Sequence, residues 1–583
     1  MKKELVKRIG VIAMSSILAM GTLTACGEQE KTAERVTKAA KEDKVQQTEA
    51  KDDNAGGAAD NAAADTNDTA NAVAGIEGWT AFADNVTLRI PVYDRGVEGV
   101  PAIGENYWET WVQENFGDAY NITMEYVPIT RSDVMNSYDM LMAQNTLPTI
   151  LMEYDYPKLA QWAAEGYLTT YNLDDFANVA PTYYDRMVEL EQIPYTELNG
   201  ECYFALAERP YSNTDYSWVT FYRQDWAEQV GYTEYPNNWA DQVDMLTKIK
   251  DEGICEYPLS AFMVTNAVSD KNYTFRTFPL NEEEWAIYGD YNIAAMGYDG
   301  HKSFLKRENE KYNLGLINPN YYELDEEAAK NKFINGECFE YSGYIASNTE
   351  WLTALYANDP DANLGVKIIK EPDAEGGTTP AFRANNPFGM MIGFSALASE
   401  DEIKAAWMYM EWMTQEENLM PMQWGIEGEH YTLNDKGLPV ANGEYSGDKV
   451  QGYNNNKDYW CVTIEAKKSG TIEDLIAASS PAGLPEDFTK EIVDQYYAQV
   501  KCAEQGYAVV DCNFAVVIES VAANQTALNE LYMSLRDELI MCKPEEFDSK
   551  YEAAVTEYKE AGYQEILDEK LAAYQAGMST KLN

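Results

Sequence analysis

The chain has 583 residues, and its 97 acidic against 44 basic side chains give it a formal net charge of −53. This acidic excess argues against a nucleic-acid-binding protein, whose surface has to be basic, and against electrostatic adhesion to anionic lipid. Aromatic residues make up 12% of the chain, and the 42 Tyr and 13 Trp among them join a flat apolar face to a polar edge. Such side chains serve either a hydrophobic core or a binding cleft.

The N-terminal segment predicts secretion. Residues 1–8 carry three Lys and one Arg against one Glu, and residues 9–25 form an uncharged, largely apolar run. A basic start, a short apolar run and small residues before a cleavage point are typical of a secretory signal peptide. The run is also shorter than the about 20 residues that a membrane-spanning helix needs. We therefore interpret residues 1–25 as a signal peptide.

The four residues that end at Cys26, Leu-Thr-Ala-Cys, resemble the bacterial lipobox. The resemblance implies that Cys26 receives a diacylglycerol on its sulfur, becomes the new N-terminus and holds the protein at the outer face of the cytoplasmic membrane. Acyl chains contribute about 0.8 kcal/mol per buried CH₂ to such an anchor. Residues 26–80 are rich in Ala, Asp, Asn, Thr and Gly and have little to bury, so we expect a flexible tether there.

The other cysteines and the histidines favour neither a metal site nor histidine catalysis. Seven cysteines follow Cys26, without a CxxC pair, and this odd number favours reduced, buried thiols, although one or two bridges stay open. The nearest pair is Cys502 and Cys512. Only His301 and His430 are present, far apart, and the chain has no GxSxG, P-loop or dinucleotide motif. We therefore expect no metal and no cofactor.

The first segments after the tether alternate between strand and helix. Strands are predicted at 86–93, 122–127 and 149–152, and helices at 106–117 and 132–144, the latter capped by Ser132. This alternation is typical of a parallel sheet covered by helices, in which ligands bind at the carboxyl ends of the strands. The residues at two of those ends are Asp94, Arg95, Glu153, Tyr154 and Asp155.

The later segments predict more α/β structure and then helices. Further strands are expected within 198–208, at 218–222, within 333–352 and at 390–398, and helices after Asn237 and after Ser399. Residues 486–582 are predicted to be almost wholly helical, with acidic faces and no sign of chemistry. About 500 residues follow the tether, which is more than one core usually holds, so at least two domains are expected.

Taken in order, these pieces resemble the extracellular solute-binding proteins of sugar ABC importers, the maltose-binding-protein-like family. The stretches that carry the resemblance are "AQNTLPTILMEYD", "LAQWAAEGYLTTYN", "LNGECYFALA", "FYRQDWAEQVGYTEYPNNWADQVDMLTKIKDEG", "FINGECFEYSGY", "MMIGFSALASEDEIKAAWMYMEWMTQEE" and, for the longer lipoprotein branch, "WGIEGEHYTLNDKG". An Asp-, Asn- and Gly-rich calcium loop of long family members is missing at "KDEGICEYPLSAF", so calcium is not expected there.

The resemblance implies an α/β, two-lobed fold of the type II periplasmic-binding-protein kind, with a hinge and extra C-terminal helices. One lobe would comprise 84–205 plus 372–428, and the other 206–371 plus 429–583. It also implies a carbohydrate ligand, an oligosaccharide by expectation, ABC permease subunits as partners, a monomer and no catalytic activity.

The family pattern places Asp94, Arg95, Asp155 and Tyr344 at the cleft. A second group was chosen as polar or aromatic residues at strand ends or turns, where a surface ion pair or a packed ring is an equal expectation. This group comprises Glu153, Tyr154, Arg223, Trp351, Arg383, Trp424, Glu427 and Tyr431.

Two other functions stay open from the sequence. A surface-anchored glycoside hydrolase would also be acidic and rich in aromatic residues, and would need two carboxylates about 5–5.5 or 6.5–9.5 Å apart. The same fold could instead capture a peptide or a lipid. Fold alone does not separate these ligands.

Overall fold

The computed structural model describes the greater part of the chain after residue 78. The described residues are 79–96, 101–208, 218–236, 238–259, 281–289, 293–324, 326–344, 351–367, 382–383, 386–442, 445–447, 449, 459, 470–479, 486–504 and 508–580. The predicted signal peptide, Cys26 and nearly all of the predicted tether lie outside these residues. Among the described residues, no helix is both long and apolar enough to cross a membrane.

Most of the strands are short. They are β1 (Val86–Asp94), β2 (Ile122–Thr130), β3 (Ile150–Glu153), β4 (Leu168–Thr169), β5 (Glu197–Leu198), β6 (Glu201–Cys202), β7 (Phe204–Leu206), β8 (Trp218–Arg223), β9 (Glu340–Tyr344), β10 (Leu364–Lys367), β11 (Phe382–Arg383), β12 (Met391–Ser395), β13 (Tyr431–Leu433), β14 (Pro439–Ala441) and β15 (Ala508–Val509).

The helices lie between and after the strands. They are α1 (Tyr107–Val112), α2 (Asp118–Tyr120), α3 (Val134–Gln144), α4 (Tyr156–Ala164), α5 (Leu173–Val179), α6 (Pro181–Glu189), α7 (Gln224–Gln229), α8 (Trp239–Asp251), α9 (Glu282–Tyr288), α10 (Asp299–Asn313), α11 (Glu326–Ile334), α12 (Trp351–Asn358), α13 (Glu400–Trp412), α14 (Glu416–Trp424), α15 (Ile472–Ser479), α16 (Glu486–Glu504), α17 (Glu519–Met541), α18 (Phe547–Tyr558) and α19 (Gln564–Gln575). A π-helical turn, Gln113–Gly117, joins α1 to α2.

The first sheet is parallel at its centre. Strands β1 and β2 pair in parallel from Val86↔Ile122 to Asp94↔Thr130. Strand β3 lies on the other side of β1, because the Thr149 N–H donates to the Arg89 carbonyl over 2.9 Å. Four residues further along both strands, the side chains of Tyr93 and Glu153 meet, so β1 and β3 also run in parallel. The carboxyl ends of β1, β2 and β3 therefore lie at one edge of the sheet, as the strand–helix alternation predicts.

An antiparallel strand completes this sheet. Strand β12 pairs with β3 and β7, so that Met391 lies opposite both Glu153 and Leu206. Helix α13 follows β12 and packs on β1. It begins with a capping box, in which the Ser399 hydroxyl accepts from the Glu402 N–H and the Glu402 carboxylate accepts from the Ser399 N–H.

The second sheet is antiparallel, with β8 between β9 and β10. Trp218 lies opposite Tyr344, and Thr220 lies opposite Lys367. At the far end of β8, Arg223 lies opposite Leu364. One edge of this sheet therefore carries the start of β8 with the ends of β9 and β10, and Arg223 is at the other edge.

Most of the buried apolar side chains among the described residues fall into four hydrophobic clusters. The first draws on residues 86–207 and 388–459 and holds the parallel sheet. Two more surround the second sheet and draw on residues between 221 and 366, together with 472–496 in one and Ile540 in the other. The fourth joins residues 285–305 to the C-terminal helices, residues 512–573. The chain thus leaves the first cluster after β7 and returns to it just before β12.

Some local predictions were wrong at the ends of elements. Helix α3 begins after a 3₁₀ turn at Arg131–Asp133, so Ser132 does not cap it. Asn238 caps α8 by accepting from the Asp241 N–H, one residue after the predicted Asn237. The strand predicted at 390–398 is shorter in the structure, β12 ending at Ser395. The predominance of helix after residue 486 is confirmed for the described residues.

Candidate functional site

The carboxyl ends of β1, β2 and β3 bring a set of polar and aromatic side chains to one edge of the sheet. Asp94 and Arg95 end β1, Arg131 follows β2, and the run 153–155 ends β3. The pairing of Asp94 with Thr130 places the first two ends side by side. We call the residues Tyr93, Asp94, Arg95, Arg131, Glu153, Tyr154 and Asp155 the strand-end cluster.

A buried hydrogen bond holds the centre of the strand-end cluster. The Tyr93 hydroxyl donates to Glu153 Oε2 over 3.0 Å, and the Tyr154 N–H donates to Glu153 Oε1 over 2.9 Å. Tyr93 is 0% exposed and Glu153 7% exposed, so both carboxylate oxygens are held away from bulk water. A buried carboxylate is stable only when donors compensate for its lost hydration. Glu153 therefore fixes the Tyr93 ring and the start of the turn that follows β3.

Two guanidinium groups lie over the Tyr93 ring. The Arg131 guanidinium carbon is 5.0 Å from the ring centroid, and that of Arg95 is 5.8 Å from it. Both distances are within the range in which a cation is attracted to an aromatic face. The two arginines thus place planar donors at the strand ends, and such donors can bind pairs of oxygens.

Arg131 was missed by the sequence interpretation. The predicted second strand ended at residue 127, whereas β2 continues to Thr130 and brings Arg131 next to the end of β1. The parallel ladder extends the strand past Pro128, where the local pattern had weakened.

The acidic residues at the two strand ends each accept a local backbone hydrogen bond. Asp94 Oδ1 accepts from the Gly96 N–H over 2.9 Å, and Asp155 Oδ1 accepts from the Lys158 N–H over 3.2 Å as the N-cap of α4. These bonds aim the carboxylates. Tyr154, which precedes Asp155 in the sequence, has 37% of its surface exposed.

For Tyr344, one of the predicted residues in the second sheet, the structure describes only the backbone. It ends β9 opposite Trp218, at the edge where β8 starts. Its side chain lies outside the described side chains, as does that of Arg383, which pairs with Val509 through β11 and β15.

The structure gives Arg223 an ion-pair network. Its guanidinium donates to both oxygens of Asp225 over 2.8 and 2.6 Å and to Asp359 over 2.7 Å, and it lies 4.4 Å from the Trp226 ring centroid. Burial by itself lowers the pKa of Arg223, but the bonds and charges of the two aspartates outweigh it and raise the pKa. Arg223 is at the edge of the sheet opposite to Tyr344.

Trp351 packs among other rings at the start of α12. Its ring centroid lies 5.2 Å from that of Phe221, 5.5 Å from that of Tyr341 and 6.0 Å from that of Phe333. These neighbours belong to a hydrophobic cluster of the second sheet. Edge-to-face packing of this kind is a sufficient account of the residue.

Two other predicted residues, Glu427 and Tyr431, line an open pocket of about 570 Å³. Its lining residues are Trp111, Glu416, Glu417, Met420, Pro421, Gly425, Ile426, Glu427 and Tyr431. Trp424 is next to the pocket, with its ring centroid 6.3 Å from that of Tyr431. We call this feature the α1–α14 pocket, because Trp111 of α1 and the end of α14 form it. Trp111 had not been predicted.

Charge and burial combine at Tyr431 of this pocket. Burial raises the pKa of Tyr431, and the nearby carboxylates of Glu427 and Glu416 raise it further. The hydroxyl is therefore a neutral donor or acceptor at physiological pH. The α1–α14 pocket thus offers two aromatic rings beside three glutamates.

His430 holds the turn that carries Glu427. Its Nδ1 accepts from the Ile426 N–H over 2.9 Å, which leaves Nε2 to donate to the Lys449 carbonyl over 2.6 Å. The ring also lies against Trp108 and Tyr445, at centroid distances of 5.9 and 4.2 Å. His430 thus has a packing role in the turn.

The structure therefore brings some of the predicted residues together in two groups, the strand-end cluster and the α1–α14 pocket, and places Arg223, Trp351, Arg383 and Tyr344 in neither. Among the described residues there is no group of three or more His, Cys, Asp or Glu side chains that could hold a metal ion. The cysteines at 202, 255, 338, 512 and 542 carry free thiols.

Comparison with known proteins agrees with the geometry. The sequence profile described as "Bacterial extracellular solute-binding protein" matches residues 102–420. No curated protein matches the chain. One similar solved structure is an HMO-binding, ABC-transporter-associated solute-binding protein from Bifidobacterium longum infantis, with 14% identity and a TM-score of 0.58 over 85% of this chain and 99% of that chain.

Two other similar structures bind named carbohydrates. The alginate-binding protein AlgQ2, solved without calcium ion, has 14% identity and a TM-score of 0.57 over 86% of this chain and 100% of that chain. The ABC-transporter substrate-binding protein FusA of S. pneumoniae, solved with kestose, has 14% identity and a TM-score of 0.53 over 84% of this chain and 100% of that chain. At these identities the likeness shows the fold, which is α/β and two-lobed as predicted.

Proposed function

Because the chain belongs to the bacterial extracellular solute-binding protein family, we propose that it captures a carbohydrate outside the cell and delivers it to an ABC importer. The proposed ligand is an oligosaccharide, and the protein releases it without changing it chemically. The profile and the similar structures are those of binding proteins, and this supports a role in binding rather than in catalysis. A monomer that meets the permease subunits at the membrane is part of the same proposal.

The observation that carries the proposal is the strand-end cluster. It places donors, from Arg95 and Arg131, beside acceptors, from Asp94 and Asp155, at one sheet edge. Each sugar hydroxyl both donates and accepts, so a mixed set of this kind suits vicinal hydroxyls better than a set of one charge. The exposed ring of Tyr154 offers a flat surface to the apolar C–H face of a sugar.

We place the binding cleft between two lobes that close about a hinge. The proposed lobes are 84–205 plus 372–428, and 206–371 plus 429–583. The separate hydrophobic clusters support the part of this division near residues 206 and 388, because the chain leaves the first cluster after Ala207 and re-enters it at Phe388. Tyr459, in the range proposed for the second lobe, belongs to the first cluster. In this arrangement Tyr344 belongs to the second lobe, at the edge of its sheet where β8 starts. Hinge closure around a ligand is the motion of periplasmic binding proteins.

The α1–α14 pocket is proposed as a second contact area for a longer oligosaccharide, through Trp424, Glu427 and Tyr431. Its aromatic rings and carboxylates match the two kinds of surface that a sugar presents. We leave Arg223 and Trp351 out of the proposed site, because ion pairs and ring packing account for them.

A thermal-shift panel of carbohydrates tests the proposal on the purified protein. Kestose, alginate oligosaccharides, maltose and neutral plant oligosaccharides form the panel, with short peptides as the comparison. A ligand at one hundred times its Kd adds about 2.7 kcal/mol to the free energy of unfolding, so a true ligand gives a clear shift. Chromatography of the incubated sugars then tests for turnover.

Two arginine variants connect a shift to the strand-end cluster. We expect Arg131→Gln to weaken binding at least tenfold, whereas Arg89→Gln is the matched control. Arg89 is also on the first sheet, but it pairs with Glu125 over 3.2 Å, five residues before the strand end. Equal affinities of the two variants would refute the placement of the site. A response to peptides alone, or consumption of the sugar, would refute the proposed function.

The membrane anchor is a separate part of the proposal. It rests on the Leu-Thr-Ala-Cys sequence that ends at Cys26. Cells that produce a Cys26→Ser variant are expected to release the protein into the medium, while the unchanged chain stays with the membrane fraction. Unchanged membrane retention of the variant would rule out the lipid anchor.

A further inference from the structure

The segments by which the chain leaves and re-enters the first hydrophobic cluster run side by side. The Ala207 N–H donates to the Met390 carbonyl over 2.9 Å, and the Gly389 N–H donates to the Ala207 carbonyl over 2.7 Å. We call 206–208 the exit segment and 386–390 the return segment. On the proposed division into lobes, both lead directly into the hinge.

One side chain touches both segments. The Gln192 side-chain Nε2 donates to the Pro387 carbonyl over 2.8 Å and lies 3.5 Å from the Ala207 carbonyl. Gln192 is 0% exposed, so these contacts are shielded from water. A single primary amide has two N–H donors, which is enough to serve one carbonyl on each segment.

The backbone of Gln192 is held by helix α6. It follows α6, and its N–H donates to the Met187 carbonyl over 2.9 Å. The other end of α6 is capped by Glu411 of α13, whose carboxylate accepts from the Thr182 and Tyr183 N–H groups over 3.2 and 2.9 Å. Glu411 is buried, and anions at a helix N-terminus are stabilising. Helix α6 is therefore fixed to the body of the first sheet.

A second contact from α6 reaches the exit segment. The Arg186 guanidinium binds both oxygens of Glu208, with Nε–Oε2 and Nη2–Oε1 distances of 3.2 and 2.8 Å. Glu208 is buried, and a bidentate pair of this kind fixes orientation as well as position. The exit segment is thus held at two consecutive residues, Ala207 and Glu208.

The other half of the Gln192 amide is unusual. Its Oε1 is buried and makes no hydrogen bond with any residue that the structure describes. A buried acceptor without a donor destabilises a fold, and such exceptions need a reason. A side chain that only filled space would avoid this cost, so the contacts of Nε2 with the two segments are the reason that fits.

We infer that Gln192 is the positioning residue of the hinge. It ties the exit and return segments to α6, so that both segments stay with the first lobe when the second lobe moves. If the hydrogen bonds of Gln192 are removed, the point about which the lobes rotate shifts into the first lobe. The two lobes then sample a wider range of relative orientations. The inference rests on the proposed two-lobed binding function, because only a moving second lobe gives the tie a role.

Hydrogen exchange on the unliganded protein tests the tie directly. The variant Gln192→Met keeps the size of the side chain and removes both donors. The matched control is Asn418→Leu, which removes a buried amide bond to the Trp412 carbonyl, 2.9 Å long, in the same cluster but away from both segments. We expect the Ala207 and Gly389 amides to exchange at least tenfold faster in Gln192→Met and not in Asn418→Leu.

Small-angle scattering then separates positioning from simple stability. The maximum dimension of unliganded Gln192→Met is expected to exceed that of unliganded Asn418→Leu, even if the two changes lower the melting temperature by the same amount. Equal exchange at Ala207 and Gly389 in the two variants overturns the inference, and so does unchanged scattering of Gln192→Met. Neither readout contains a sugar, so a failed carbohydrate panel overturns the proposed function without deciding these two results.

Discussion

The buried contact between Tyr93 and Glu153 is expected to be one of the stronger single interactions of the first sheet. Tyr93→Phe removes only the hydroxyl, which donates to Glu153 Oε2 over 3.0 Å. With both residues buried, water cannot replace the lost donor. Hydrogen bonds to a charged group contribute about 1.5–3 kcal/mol. We therefore expect the variant to lose about 2 kcal/mol of the free energy of unfolding.

A double-mutant cycle isolates the contact from other effects of each change. The second variant is Glu153→Met, which keeps a side chain of similar length and removes both acceptor oxygens. If the hydrogen bond is the source of the effect, the two changes are coupled by about 1.5–3 kcal/mol, since residues in one network are not additive. Urea denaturation followed by tryptophan fluorescence measures each free energy through its midpoint and slope.

Glu125→Gln supplies the control cycle with Tyr93→Phe. Glu125 lies on β2 and pairs with Arg89 at the exposed face of the sheet, away from the Tyr93 hydroxyl. Distant sites usually add within about 0.3–0.5 kcal/mol, so no coupling is expected. A Tyr93–Glu153 coupling below about 0.5 kcal/mol would refute the view that a buried, charge-assisted bond holds the strand-end cluster.

Three further outcomes are expected elsewhere. Ser399→Ala removes half of the capping box with Glu402 and costs about 1 kcal/mol, seen as faster hydrogen exchange in the first turn of α13; unchanged exchange would contradict the cap. Asn309→Leu removes a donor shared by three buried carbonyls at the end of α17, of which only that of Cys542 keeps another side-chain donor among the described residues, Asn313; calorimetry is expected to show a loss of about 2–4 kcal/mol in the free energy of unfolding, and a loss below about 1 kcal/mol would contradict this role. Burial raises the pKa of Tyr138 well above its usual value of about 10, so stability that is complete below pH 10 is lost as the pH rises further; ultraviolet titration of Tyr138 in the folded protein near pH 10 would contradict this.

Local sequence patterns predicted much of the first sheet. The β-branched and apolar run that became β1 and the buried run that became β3 both depend on neighbours within a few residues. The side chains that follow such strands are therefore assigned to a sheet edge directly from the sequence, as for Asp94 and Asp155. The resemblance of these segments, taken in order, to the solute-binding protein family implied the two-lobed α/β fold, which the comparisons show.

Only the tertiary structure decided which partner each polar side chain has. Arg223 lies at the end of a strand much as Arg95 does, but the fold brings Asp359 to it from 136 residues away and makes it the centre of an ion-pair network. The α1–α14 pocket needs Trp111 and Tyr431, which are 320 positions apart in the sequence. Propensity and periodicity act over a turn or a strand, whereas these contacts depend on how whole elements pack. Local sequence therefore predicted which polar residues lie at the ends of strands. Packing decided which of them have partners within the fold.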